Sequence, residues 1–306
     1  MARRRKRGRP VNGIILLDKP QGLSSNQALQ RVKGIYFAQK AGHTGSLDPL
    51  ATGMLPICFG EATKLSGYLL DADKRYRFTC QLGVTTTTGD AEGEVLKQTG
   101  VPEITESRIK EILESYVGTI EQIPPMYSAL KHEGERLYNL ARQGIEVERK
   151  ARTVQIYELT LIGLQGDFLE LEVSCSKGTY VRTLAEDIGN DLGCGAHVTV
   201  LRRLSAGVFQ DADKMITLDQ LQKIRDEDRD SLDDLLLPMD TALMHWPAVQ
   251  LNADMAYYIQ QGQPVQVSKA PTQGLLRLYD SSEEKFLGVG HILSDGRVAP
   301  KRLLAT

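Results

Sequence analysis

The chain has 306 residues, 41% of them apolar and 25% charged, an ordinary globular composition that excludes wholesale disorder. No apolar run approaches the roughly 20 residues of a membrane-spanning helix, and the four cysteines, Cys58, Cys80, Cys175 and Cys194, are too scattered for a zinc ribbon or a disulfide framework. The net charge of −2 hides a basic arm at residues 1–10, with six basic groups and no acid, and an acidic stretch at 211–240, with ten acids and four bases.

The arm lacks an apolar core and is not a signal peptide. It reads either as a solvated tail or as an arm for nucleic-acid phosphates. Val11–Leu17 is a short apolar run, predicted to be a strand. Ser24 and Ser25 are N-cap candidates for a helix whose one face holds Ala28, Leu29, Val32, Ile35 and Tyr36. Residues 74–83 alternate, with Tyr76, Phe78, Cys80 and Leu82 on one side and Arg75, Arg77, Thr79 and Gln81 on the other, the pattern of a half-buried strand. Ile109, Ile112, Leu113, Tyr116 and Val117 have helical spacing up to Gly118, and Leu137–Ala141 reads as a short helix. Val154–Leu161 and Leu169–Cys175 are predicted to form a hairpin through the Gly166–Asp167 turn. A helix with Val181, Leu184, Ala185, Ile188 and Leu192 on one face stops at Gly193, and His197–Phe209 returns to strand. The acidic stretch carries a capping-box pattern at Thr217 and Gln220 and is expected as a helical excursion on the surface. From about residue 250 a short helix and several strands with Gly-rich turns suggest a separate small β module.

Four segments carry chemistry. Residues 42–56, GHTGSLDPLATGMLP, form a rigid loop with one carboxylate, Asp48, and one histidine, His43. Pro49 biases Asp48 to extended backbone, and the glycines permit close approach. A bare Asp-Pro is more often only a turn. KGTYVR at 177–182 puts Tyr180 and Arg182 at a strand-to-helix junction, where the guanidinium can hold a carboxylate ionised and aimed. DKRYRF at 73–78 interleaves basic groups with Tyr76 and Phe78, suiting phosphates and stacked bases, or simply an amphipathic edge strand. Lys19, in LDKPQGLSSN at 17–26, is a turn lysine, a brace for an acid or a phosphate contact. The usual nucleotide, metalloprotease, serine-hydrolase and calcium-loop motifs do not occur.

In this order and at this spacing, these segments resemble the TruB family of tRNA pseudouridine synthases, in its bacterial stand-alone form. GHTGSLDPLATGMLPICFGEATK at 42–64, SKGTYVRTLAEDIG at 176–189, GCGAHVTVLRRLSAG at 193–207 and IPPMYSALKHEGERLYNLARQG at 123–144 carry the likeness with the two strings above. The resemblance implies an α+β fold: a mixed, largely antiparallel central sheet flanked by helices, over residues 11–249, with a PUA-like RNA-binding module at 250–306. It implies an isomerase that converts uridine 55 of the tRNA T-loop (a tRNA number) to pseudouridine, needing no cofactor and no metal. Asp48 is then the essential carboxylate acting at the ribose and Arg182 its ion-pair partner. Tyr76 stacks on the target uracil, Tyr180 lies near C5, and Leu201 packs beside the base. His43 contacts the RNA loop, and Lys19 supports the site. The expected partner is tRNA, through its T-arm; a cytoplasmic monomer with no obligatory protein partner and no membrane contact follows. The acidic stretch is expected to face away from RNA. Two other readings of the residues stay open at this point: an RNA-binding or RNA-folding protein, and a glycoside hydrolase, which would need two facing carboxylates.

Overall fold

The computed structural model describes residues 7–282 and 284–305. Residues 1–6, and with them most of the basic arm, lie outside the described residues. Strand Gly13–Lys19 (β1) leads into helix Ser25–Ile35 (α1), followed by Ala41–His43 (β2) and Thr52–Phe59 (β3). Ser24 caps α1 in a capping box with Gln27, and Ala28, Leu29, Val32 and Ile35 are buried, as their spacing predicts. Then come Ser66–Leu70 (α2), Lys74–Leu82 (β4), Val84–Thr86 (β5), Val95–Gln98 (β6), Glu106–Ser115 (α3) and Gly118–Gln122 (β7). Lys131–His132 (β8), Glu135–Arg136 (β9) and Leu137–Arg142 (α4) precede the predicted hairpin, which is longer than its apolar pattern: Arg152–Gln165 (β10) and Phe168–Cys175 (β11). Val181–Asp191 (α5), Ala196–Ala206 (β12) and Leu218–Glu227 (α6) follow. The last region contains Ala248–Leu251 (β13), Ala253–Gln260 (α7), Leu275–Asp280 (β14), Lys285–Ile292 (β15) and Val298–Leu303 (β16).

The main sheet runs β1-β3-β12-β4-β11-β10-β7, with β2 on β3. Every pairing is antiparallel except β12 with β3. This is the mixed, largely antiparallel α+β sheet expected. β4 is a central strand between β11 and β12, not an edge. One face packs a large core in which Leu17, Leu55, Ile57, Phe78, Leu171 and Val173 meet Val32 of α1 and Leu184 and Ile188 of α5. The opposite face of β1 and β3 is also covered. There Ile14, Leu16, Met54 and Cys58 pack with Leu65, Leu69, Val289 of β15 and Leu304, which follows β16. The small sheet β13-β14-β15-β16 has its own core with α7, through Leu251, Ile259, Leu276 and Leu278. It begins at Ala248 with a parallel strand pair.

The acidic stretch differs from its expectation. It is helical, but its leucines are not on the surface: Leu221 and Leu232 are fully buried in the main core. Its backbone also covers the outer edge of β1, with Ile216 N donating to Leu16 O at 2.9 Å and Leu237 N to Ile14 O at 2.8 Å. Covering an open sheet edge removes a pairing template; the density of charge masked this apolar face in the sequence. The same stretch anchors the base of the basic arm. Asp233 accepts from both terminal nitrogens of Arg9, at 2.7 and 3.2 Å, and Arg9 N donates to Phe37 O.

Candidate active site around Asp48

The Asp48 loop spans the gap between β2 and β3, which are paired with His43 opposite Ile57. Leu47, Leu50 and Ala51 turn into the core, so the residues around Asp48 are pinned by burial. Ser25 then fixes the loop: its hydroxyl accepts from Leu47 N at 2.7 Å and donates to Leu47 O at 3.0 Å. Of the two N-cap candidates, Ser24 caps the helix and Ser25 holds the loop. Gly22 N donates to Pro49 O at 2.8 Å. Lys19, fully buried, donates to Leu23 O at 2.6 Å, Pro20 O at 2.8 Å and Pro49 O at 3.4 Å. Lys19 is therefore a brace made through carbonyls, and burial pushes its pKa down to about 8.

Arg182 is the second residue of α5, and its Nε stands 3.0 Å from Asp48 Oδ2. The Arg182 side chain is 6% exposed, whereas that of Asp48 is 42% exposed. The arginine is thus the buried anchor and the carboxylate the open end of the pair. Both terminal nitrogens of the guanidinium are also engaged. Nη1 donates to Thr88 O and Nη2 to Tyr127 O, both at 2.8 Å, and Nη1 lies 3.6 Å from Asp90 Oδ2. Asp90 is buried, and its Oδ1 accepts from the Thr88 hydroxyl at 2.5 Å and from Glu92 N at 3.1 Å. Sequence reasoning missed Asp90. It sits in the polar TTTTGD turn, far from Arg182 in sequence, and no local pattern marks it.

Enclosure by protein raises the Asp48 pKa above the ordinary carboxylate value; the Arg182 charge is the largest opposing influence, Asp90 pushes the same way as burial, and Lys19 opposes it. Tyr180, the N-cap of α5, is held by Gln122: Tyr180 N donates to Gln122 Oε1 at 3.0 Å and Gln122 Nε2 to Tyr180 O at 3.3 Å. Burial keeps the Tyr180 hydroxyl protonated by raising its pKa.

Asp48, Arg182, Tyr76, Tyr180, Leu201 and Ser128 line one cleft of about 180 Å³. It has an apolar wall (Leu47, Val181, Leu201), two tyrosines and one carboxylate, a combination suited to holding a flat polar ring beside an anionic oxygen. Five of the seven residues singled out from sequence therefore converge. Lys19 braces the loop from behind. His43 is half-buried on β2 and does not line the cleft; its Nδ1 is buried without a hydrogen-bond partner, and burial and the Arg203 charge lower its pKa. The second carboxylate near Arg182, Asp90, lies behind the arginine and not across the cleft, so the facing pair of a glycoside hydrolase is not formed there. Among the described residues, no three His, Cys, Asp or Glu side chains gather to hold a metal, and no helix is long and apolar enough to cross a membrane.

Residues 33–181 match the N-terminal domain of TruB family pseudouridylate synthases. Residues 182–244 match a tRNA pseudouridylate synthase B C-terminal domain, and 247–304 a pseudouridine synthase II TruB C-terminal domain. The chain is 58% identical to tRNA pseudouridine synthase B of Nitrosococcus oceani over 301 residues, covering 98% of this chain and 97% of that protein. It is 54% identical to tRNA pseudouridine synthase B of Yersinia pestis over 311 residues, covering 99% and 95%. A solved H/ACA ribonucleoprotein bound to a substrate RNA containing 2′-deoxyuridine has the same fold, with a TM-score of 0.74 and 22% identity over 99% of this chain and 92% of that one. The chain belongs to the TruB family of pseudouridylate synthases.

Proposed function

We propose that this protein is a tRNA pseudouridine synthase that isomerises uridine 55 of the T-loop, with Asp48 as the carboxylate acting at the ribose. The observation that carries the reading is the Asp48 carboxylate, aimed by a buried arginine at 3.0 Å and open to a cleft walled by Tyr76, Tyr180 and Leu201. The names of its relatives support tRNA as the substrate.

In this reading the target nucleotide is extruded from the folded loop at a cost of a few kcal/mol, offset by phosphate contacts and by stacking on Tyr76. The N1–C1′ bond breaks, the uracil turns within the cleft, and a C5–C1′ bond forms. The proton lost from C5 balances the one gained at N1, so the reaction needs no external reactant. Asp48 acts in its ionised form, either at C1′ or on a sugar proton. Arg182 keeps it charged and aimed, and Asp90 orients Arg182 from behind. Tyr180, kept as a phenol, assists near C5 through its hydroxyl. Leu201 excludes water, which would otherwise leave an abasic site. His43 contacts RNA outside the cleft. Residues 11–249 form the catalytic region and 250–306 an RNA-binding module of a cytoplasmic monomer.

The test is pseudouridine mapping on tRNA transcripts treated with the purified protein. The expected product is a single pseudouridine at position 55, absent when that uridine is replaced by cytidine. Modification elsewhere only, or none with RNA binding intact, overturns the assignment.

A further inference from the structure

The central sheet is joined across a narrow seam. β12 pairs with β4 along most of its length, but with β3 only at Arg202–Thr52 and Arg203–Gly53. The Asp48 loop enters from the β3 side of this seam. Tyr76, Tyr180, Arg182 and Leu201 all come from the other side. Arg203 stands on the seam itself, with its backbone opposite Gly53 on one side and Tyr76 on the other. The backbones touch there: Gly53 has φ +95°, and a Cβ on it would fall 2.3 Å from Arg203 O, so glycine alone fits.

The Arg203 side chain is 1% exposed and is the bulkiest of the fully buried ones among the described residues. Its Nε donates to Met54 O at 2.6 Å and its Nη2 to Gly45 O at 3.3 Å. Those two carbonyls bracket the segment that carries Asp48. The same guanidinium faces the Tyr76 hydroxyl. Its described contacts include no carboxylate. A buried guanidinium without a counter-ion is unfavourable, and an apolar side chain of similar volume serves a core at least as well. Stability therefore gives no reason for an arginine here. Geometry does, because a rigid planar fork holds several acceptors at fixed separation.

We propose that Arg203 is a positioning residue for the isomerisation, stapling both ends of the Asp48 loop to the Tyr76 strand and so setting the gap between the carboxylate and the stacked base. This role rests on the activity proposed above and deepens it. The cleft is shared between two half-sheets, and a displacement of about 1 Å between a reacting group and its substrate is enough to cost about a hundredfold in rate.

The experiment measures single-turnover pseudouridine formation, RNA affinity and melting temperature on the full-length wild type, Arg203→Met and Arg203→Lys. Leu221→Ala, a core truncation on α6, serves as a destabilised control. Arg203→Met removes the unpaired charge and the fork and leaves an unbranched apolar chain in part of the space. It is expected to melt near the wild type, to bind tRNA with affinity within about threefold, and to turn over about a hundredfold more slowly. Arg203→Lys, which keeps the charge but not the fork, is expected to lose rate as well. Leu221→Ala is expected to melt lower yet keep the wild-type rate. A wild-type rate in either Arg203 variant overturns the proposal. So does an equal rate loss in Leu221→Ala at a matching drop in melting temperature, or unfolding of both Arg203 variants, since the arginine is then only a stability device. An inactive wild type with intact RNA binding is a different result: it removes the activity itself, and this role with it.

Discussion

The two halves of the central sheet are built differently. β1 and β3 are buried on both faces, and their sequences, GIILLDK and TGMLPICF, are almost unbroken apolar runs. β4, β10 and β11 alternate, with one face in the core and one face polar. On that polar face Glu172 is held between Arg75 and Arg77, the latter at 3.1 Å. The Asp48 loop is rooted in the doubly packed half, whose side chains alternate between two cores. Tyr76 and Leu201 come from the half that has a wet face. The carboxylate proposed to react thus stands on strands packed from both sides, which suits precise placement, while the sheet that accompanies it keeps charged groups at the surface.

The most severe way to sharpen this contrast is to neutralise the carboxylate without disturbing its support. Asp48→Asn is expected to lower turnover by about four orders of magnitude or more, with tRNA binding kept. It should not destabilise the fold. Because the Asp48 pKa is raised in the folded protein, the unfolded chain releases this proton at lower pH than the folded one. Stability therefore falls as pH rises from the ordinary carboxylate pKa through the raised one, and the penalty is complete above it. Asp48→Asn is accordingly expected to melt above the wild type at neutral pH, with the difference vanishing below about pH 3. A lower melting temperature at pH 7 would count against a strained carboxylate.

Arg182→Gln is the next largest change. It removes the strongest influence opposing the raised Asp48 pKa, so the acid limb of the single-turnover rate is expected to move to higher pH, with a rate loss of about a hundredfold on the plateau. A limb that stays where it is in the wild type would break the pairing. The smallest effects compare the supports directly. Leu55→Ala, fully buried in β3, is expected to cost about 2–5 kcal/mol in denaturant unfolding. Phe168→Ser, 45% exposed on β11, is expected to stay within about 0.5 kcal/mol. Equal losses would erase the distinction between the halves.

The same distinction governs what the sequence revealed. Alternation and helical spacing identified β4, the β10–β11 hairpin, α1 and α5, because each has one buried face whose period is fixed by local geometry. The Asp48 loop and the KGTYVR junction stood out by composition and by likeness to a family, and the fold brings Asp48 and Arg182 into direct contact. Asp90 and Arg203 escaped notice for the same kind of reason. Asp90 lies in a turn that reads as solvent-exposed and is buried only because α5 brings Arg182 against it. Arg203, in the LRRL of an alternating strand, reads as one more outward-facing base; its burial depends on β3 arriving from the far side. The acidic segment misled similarly, since Leu221 and Leu232 are spaced among charges and are buried by a neighbour, not by a local period. Pairwise encounters between distant segments are what local periodicity does not encode.

All four cysteines are buried thiols, and they are distributed across the two halves. Cys58 on β3 faces the rear core, while Cys80 on β4 and Cys175 on β11 face the main one. Burial pushes Cys58 and Cys80 up to about 12 and Cys175 to about 11, so none offers thiolate to a reagent until its strand opens. Alkylation followed cysteine by cysteine would then act as a built-in clock, timing the exposure of β3 independently of β4 and β11.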